Sequence, residues 1–297
     1  MAKVALDMKA ALERRRRTGE AGTTASRILA HGVGWSVADV ICTSGPRDRP
    51  FEERHSQHSI AVVLSGSFQY RTTSGAAVMT PGAVMLGNPA QCFECGHAHG
   101  EGDRCVAFWF SPQYFERIAA DAGGRGRLDF LAPRLPAVRA LAPLVAAAGV
   151  WTSVEQSAAA WEELGILLVE VAVQSTGDGA GGPRTPPHAE ARVSAAVRAI
   201  EAKPGAAHTL ASLAAESGVS PFHFLRTFRQ VTGITPHQYV LRTRLREAAW
   251  RLATPAPPRI LDVALDTGFC EASNFDRAFR TEFGASPRAY RQRFART

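Results

Sequence analysis

Between residues 210 and 294, apolar positions recur at helical spacing in two blocks that follow one plan. In the first, Leu210, Leu213 and Ala214 stand at i, i+3 and i+4 and make a single apolar stripe. Gly218 follows, free to take the left-handed backbone that ends a helix. Ser220 offers an N-cap and Pro221 a first helical residue, and Phe224, Leu225 and Phe228 then repeat on one face. The second block does the same with Ile260, Val263 and Ala264, then Gly268, then Phe275, Phe279 and Phe283. Gly233 and Gly284 close the second helix of each block. The pattern predicts two helix-turn-helix units in tandem. The joining segment 236–252 holds no Pro or Gly after its first residue, which predicts a rod of roughly 25 Å. Leu241, Leu245, Ala248 and Leu252 are its expected core side, and Arg242, Arg244, Arg246 and Arg251 are charged positions available to phosphate. A last helix starts at Ser286-Pro287 and carries Arg288, Arg291 and Arg293.

Upstream the period shortens. Ile60-Ala61-Val62-Val63-Leu64 stops at Ser65-Gly66-Ser67, and Phe68-Gln69-Tyr70-Arg71 alternates up to Thr73-Ser74-Gly75. Ala77-Val78-Met79, Val84-Met85-Leu86 and Val106-Ala107-Phe108-Trp109-Phe110 complete a series of short strands with Gly/Pro turns. Such a series between about residues 32 and 110 predicts a β-sandwich or small barrel. Helices are expected over 112–122, 135–149 and 154–174, the last with Trp161, Leu164, Leu167, Leu168 and Val171 at helical spacing. The run GDGAGGPRTPP is a flexible linker by composition. The expected organisation is an N-terminal helical arm (1–28), a sensor and dimerisation domain (29–176), a linker (177–188) and a helical domain (189–297).

Charge follows this division. From residue 188 onward there are 16 Arg and Lys against 9 Asp and Glu, whereas residues 1–187 hold 18 of each. The whole excess of +7 therefore sits on the helix-turn-helix half, as a polyanion binder requires. No apolar run approaches the length of a membrane span, so no membrane partner is expected. The basic run Arg14–Arg17 is followed by Thr18-Gly19-Glu20 rather than an apolar core, which argues against an export signal. Five cysteines fit a reducing cytoplasm better than a disulfide framework.

The faces opposite the apolar stripes carry the candidate chemistry. In the first unit these are Phe222, His223, Arg226, Arg229 and Gln230; in the second, Asn274, Asp276, Arg277 and Arg280. A helix with one buried face and one basic, amide-bearing face suits a DNA major groove. Pairing of Arg226 with Glu216, or of Arg277 with Asp266, is the competing structural role. The quoted residues, with the run Thr232-Gly233-Ile234-Thr235-Pro236, Tyr239, Gly268-Phe269, Arg277-Ala278-Phe279, Gly284-Ala285-Ser286-Pro287 and Tyr290-Arg291, resemble the DNA-binding domain of AraC/XylS-type transcription regulators. The resemblance covers about a third of the chain. It implies a seven-helix domain that puts both recognition helices in successive major grooves, with Phe222, Leu225, Arg226, Ala272, Ser273 and Arg277 as base-reading positions. Leu225 and Ala272 offer base edges no hydrogen bond, so thymine methyls or DNA shape would be read there. The stretch LSGSFQY…MTPGAVMLGNP looks like the cupin-type sensor barrel that often precedes this domain. The implied fold class is α+β: a cupin-like barrel with flanking helices, then an all-α domain of two helix-turn-helix units joined by a long helix. The helices after the barrel would form a homodimer interface or simply pack on the barrel. Promoter DNA, a small-molecule or metal effector and RNA polymerase are the implied partners.

One cluster lies outside this plan. Cys92-x2-Cys95-x-His97-x-His99-x5-Cys105 places five metal-capable side chains within 14 residues. On a strand Cys95, His97 and His99 would share a face. A turn at 100–103 would return Cys105 beside them and leave Cys92 pointing away. Two thiolates and two imidazoles would then suit one zinc or other transition metal ion. His55 and His58 could add a ligand. Thiol redox or electrophile sensing and plain structural burial are the competing readings. The ligand string of cupin oxygenases is not clearly present, so no enzyme is expected. The leading expectation is a DNA-binding regulator whose barrel senses a small effector; the alternative is a metal- or thiol-responsive stress regulator switched by Cys95, His97, His99 and Cys105.

Overall fold

A computed structural model of the chain describes residues 8–124, 129–175, 185–254 and 256–294. It is a mixed α and β structure, with sheets in the N-terminal part and helices in the C-terminal part. Helix α1 (Met8–Thr18) comes first, followed by strands β1 (Thr24–Gly32), β2 (Trp35–Cys42), β3 (Phe51–Arg54), β4 (His58–Gly66), β5 (Phe68–Thr72), β6 (Gly75–Met79), β7 (Val84–Gly87), β8 (Cys92–Gly96), β9 (Asp103–Phe110) and the short β10 (Arg134–Leu135). They form a six-stranded sheet, β1-β2-β9-β4-β7-β10, and a four-stranded sheet, β3-β8-β5-β6. The two face one another without joining into one closed ladder: of the sandwich or small barrel that the turn pattern allowed, a pair of packed sheets forms, and the closed cupin-like barrel that the resemblance implied does not.

Strand β4 explains why its apolar run does not alternate. Ala61 and Val63 face the space between the sheets, while Ile60, Val62 and Leu64 face a second core under the helices. Both faces are buried, so every position is apolar. Helices α2 (Pro112–Asp121), α3 (Ala142–Trp151) and α4 (Ala158–Ser175) cover that second face. Trp161, Leu164 and Leu168 of α4 are buried there, and Gly165 lets the helix approach Phe108 and Phe110. Leu167, expected on the same stripe, lies outward beside Ile166, each 38% exposed.

Four boundaries differ from expectation. The helical arm ends at Thr18, since the chain enters β1 at Thr24 instead of remaining helical to residue 28. This helix is tethered: Arg15 bonds Asp48 at 2.6 Å and Arg16 bonds Glu101 at 2.9 Å. The helix expected from Leu135 begins at Ala142, because Leu135 is drawn into β10 against Val84. The helix expected from Val154 begins at Ala158. Of the expected linker 177–188, residues 177–184 lie outside the described residues, and Pro187 already opens the next helix.

Helices α5 (Pro187–Ala202), α6 (Leu210–Glu216), α7 (Pro221–Thr232), α8 (Pro236–Leu252), α9 (Ile260–Asp266), α10 (Ala272–Phe283) and α11 (Pro287–Phe294) form the C-terminal part, seven helices among the described residues. Tyr239 and Val240 of α8 join the core of Phe224 and Phe228, while Leu245, Ala248 and Leu252 join that of Phe275 and Phe279. One rod thus holds both units.

The two parts of the molecule are in direct contact. Val78 and Ala137 enter the first helical core, and Ala146 and Val150 of α3 enter the second. The half-buried Arg134 side chain donates to Val78 O at 2.8 Å and to Val231 O at 2.5 Å, placing a cation at the C-terminal end of α7, where the helix dipole favours it. Gly149 lies so close to Trp250 that a Cβ there would stand 2.5 Å from the indole Nε1.

Candidate nucleic-acid interface

In the first unit Thr209 caps α6 through a reciprocal capping box with Ser212, and Ser220 accepts a hydrogen bond from the His223 N–H to cap α7. Gly218 makes the turn at φ 66°, and Gly268 makes the equivalent turn in the second unit at φ 87°, both in the left-handed region that favours glycine. Phe224 and Phe228 are buried, which turns the opposite side of α7 outward. Phe222 is 76% exposed, His223, Arg226 and Arg229 are exposed, and Leu225 is half-buried. Neither the Arg226 nor the Arg229 guanidinium makes a hydrogen bond or ion pair among the described residues, so the pairing of Arg226 with Glu216 does not form.

Helix α10 presents Ala272, Ser273, Asn274, Arg277 and Arg280 at its surface, all exposed. Here the cations are engaged. Arg277 donates to Asn274 Oδ1 at 2.8 Å, and Asn274 donates to Glu271 Oε2 at 3.0 Å. Arg280 pairs with Asp276 at 2.7 Å, one helical turn back. Asp266 is taken by Arg251 at 2.7 Å, so the expected competing partner of Arg277 is not the one it finds. The Asp276–Arg280 pair was readable from its i, i+4 spacing.

The arginines of α8 are not free for phosphate. Arg246 is buried against Glu201 at 2.6 Å, Arg244 donates to the carbonyls of Pro204, Ala206 and Gly268, and Arg242 bonds Glu282 and Ala137 O. These guanidiniums satisfy carbonyls and carboxylates where loops and helices meet. Their partners lie far away in sequence.

The cysteine–histidine cluster is gathered differently from its spacing. Strand β8 ends at Gly96, so side-chain alternation stops before His97 and His99 leaves the shared face. The backbone carbonyl of His99 accepts from Arg198, and its Nε2 is buried without a partner among the described residues. His97 meets Asp103 at 2.6 Å, with Cys42 beside it. Cys42 arrives through the sheet: it stands opposite Asp103 in the β2–β9 register, a pairing that local spacing does not reveal. Cys95 and Cys105 are buried on the wall of the same cavity, and Cys92 is exposed, as its parity implied. Burial pushes the Cys42 thiol up, but the neighbouring His97 and the Ser44 N–H outweigh it and bring it below its ordinary value. Burial likewise pulls His97 down, yet Asp103 and Cys42 raise it to about 9. Burial drives the Cys95 and Cys105 thiols well up. His55 lines the cavity and bonds Tyr70 and Ser59, whereas His58 stacks on Phe115 in the other core; neither joins the cluster.

The cavity between the sheets is about 280 Å³ and is lined by Phe51, Phe68, Met85, Phe93 and Trp109, with His55 among the polar groups.

Residues 213–293 match the family described as a helix-turn-helix domain. The regulatory protein SoxS of Salmonella typhimurium is 41% identical over 81 residues, 27% of this chain and 75% of SoxS. The HTH-type transcriptional regulator YbfI of Bacillus subtilis is 24% identical over 222 residues, 74% of this chain and 79% of YbfI. A transcriptional regulator with an AraC-type DNA-binding domain from Chromobacterium violaceum has a solved structure that is 29% identical, covering 35% of this chain and 92% of its own, with a TM-score of 0.33. No helix among the described residues is long and apolar enough to cross a membrane. SoxS and YbfI are regulators and not enzymes, and with two helix-turn-helix units on one rod, each closed by a left-handed glycine, and a basic outer surface, the chain belongs to the AraC/XylS family of DNA-binding transcription regulators.

Proposed function

We propose that this regulator reads a promoter site with α7 and α10 in successive major grooves of double-stranded DNA, and that a small molecule held between its two sheets sets how the helices are presented. The observation that carries the first half is the exposed face of α7, where the Arg226 and Arg229 side chains have no partner among the described residues, on a helix whose other face is locked into the core. Unpartnered guanidiniums on a rigid helix reach base edges and phosphates at little cost in lost protein contacts. Arg226 is the base reader and Arg229 the phosphate contact in this reading.

The cavity supports the second half. Its volume sits near the lower end of the range for small-molecule sites, and apolar walls with a few polar groups are what such sites need. A route to the DNA side exists: Phe68 lines the cavity on β5, β5 pairs with β6, and Val78 of β6 shares Arg134 with the last turn of α7. A ligand that favours one arrangement of these contacts would shift the population able to engage DNA. Homodimerisation, and contact with RNA polymerase at the promoter, belong to the same reading.

The test starts by selecting bound sequences from random duplex DNA. The fragment 185–297 is then expected to bind the selected site, while ligand-dependent transcription in a reporter strain is lost. Unchanged ligand response without residues 1–184 would sink the effector half, and absence of a selected sequence would sink the first.

A further inference from the structure

We infer that Cys42, His97 and Asp103 form a site for one divalent transition metal ion of zinc-like chemistry, open to the cavity between the sheets. The inference is independent of the organic-effector reading. Cys42 Sγ, His97 nitrogen and an Asp103 oxygen all lie within 4.8 Å of one another, and all three residues are buried. Two elements of the six-stranded sheet and the segment after β8 bring them together. Cys42 ends β2 and Asp103 opens β9 directly opposite it, while His97 comes over from the four-stranded sheet.

The donor set decides the class of ion. Calcium and magnesium take oxygen ligands. A thiolate, an imidazole and a carboxylate together suit zinc and its neighbours, with donor bonds of about 2.0–2.3 Å. The thiolate and carboxylate carry two negative charges, so a divalent ion leaves the buried site neutral, which a low-polarity interior favours. Binding releases the Cys42 thiol proton and the proton held between His97 and Asp103 to solvent.

Surrounding groups hold the ligands in place, as the outer shell of metal sites does. The Ser44 N–H donates to Cys42 Sγ at 3.5 Å. The Cys105 thiol donates to the other Asp103 oxygen at 3.5 Å, and Phe68 stacks on His97 with ring centroids 5.8 Å apart. All three ligands line the cavity, so the fourth position faces it and can take water or a ligand atom. His97 and Asp103 also bracket the segment that bonds α5 through Arg198 and α1 through Arg16. An ion there would fix a segment that touches both neighbours.

The experiment uses the full chain, reduced and stripped with chelator, titrated with cobalt(II) and then competed with zinc(II). One ion per chain is expected, with the near-ultraviolet thiolate-to-cobalt absorption band displaced by zinc. Cys42→Ser is expected to abolish the band. His97→Gln and Asp103→Asn should weaken binding about 10-fold or more, since removing even an outer partner of a ligand costs of order 10–100-fold. Cys92→Ser and Cys270→Ser, at exposed positions, should bind as wild type. Circular dichroism checks the fold, and Asp103→Asn serves if Cys42→Ser does not fold. Less than stoichiometric binding would overturn the site. So would a band that survives Cys42→Ser unchanged, or a preference for calcium over cobalt.

Discussion

In the first helix-turn-helix unit the Arg226 and Arg229 side chains on α7 have no partner among the described residues; in the second, Arg277 and Arg280 on α10 are tied to Asn274 and Asp276. The frames match: each has an apolar first helix, a left-handed glycine turn and a phenylalanine ladder under the second helix. The capping differs as well. Ser220 accepts from the third residue of α7, whereas Glu271 before α10 makes no such bond and bonds Asn274 instead. A carboxylate at the entrance of α10 suits the helix dipole but repels a phosphate placed there. The same frame therefore presents two electrostatic surfaces. Under the proposed reading the first unit is set for direct readout, and the second would surrender protein contacts on binding.

The largest effect expected is on Arg226. Arg226→Ala should cost about 1–3 kcal/mol on the selected site and relax preference at one position. Arg277→Ala should cost less, near 1 kcal/mol, because DNA contact there replaces an existing bond. Titrations on selected and random duplexes separate the two, and equal losses on both duplexes for Arg226→Ala would make it a phosphate contact only.

Next comes the cap. Ser220→Ala should lower thermal stability by about 1 kcal/mol. Glu271→Ala, which removes no cap bond, should leave stability within about 0.5 kcal/mol. A comparable loss from both, in thermal unfolding followed by circular dichroism, would erase the structural side of the contrast.

The smallest effect expected is a gain. Asp276→Asn frees Arg280 and removes a negative charge from α10, so on the proposed reading affinity should rise a few-fold on all duplexes at low salt and fade as salt screens it. Unchanged low-salt affinity in fluorescence anisotropy would mean that the pair does not restrain Arg280.

Local chemistry made the helical half readable from its sequence. Gly218, Ser220 and Pro221 fix a turn and a helix start within four residues, and Phe224 and Phe228 identify the buried face by spacing alone. The arginines of α8 were not readable in this way. Arg246 is held by Glu201, 45 residues away, and Arg244 by carbonyls of two loops. Spacing along α8 carries no trace of those partners. The buried cluster shows the same limit: His97 was visible, but Cys42 reaches it only through the β2–β9 register, and His99 dropped out because β8 ends at Gly96. Strand alternation holds only as far as the strand does.

The central contrast is tested most directly by the salt dependence of binding to the selected duplex, measured for Arg226→Ala/Arg229→Ala beside Arg277→Ala/Arg280→Ala. The first pair is predicted to lose more affinity and to reduce the slope of log K against log salt by about 1 for the phosphate contact removed. Equal or reversed losses would contradict an interface led by the first unit.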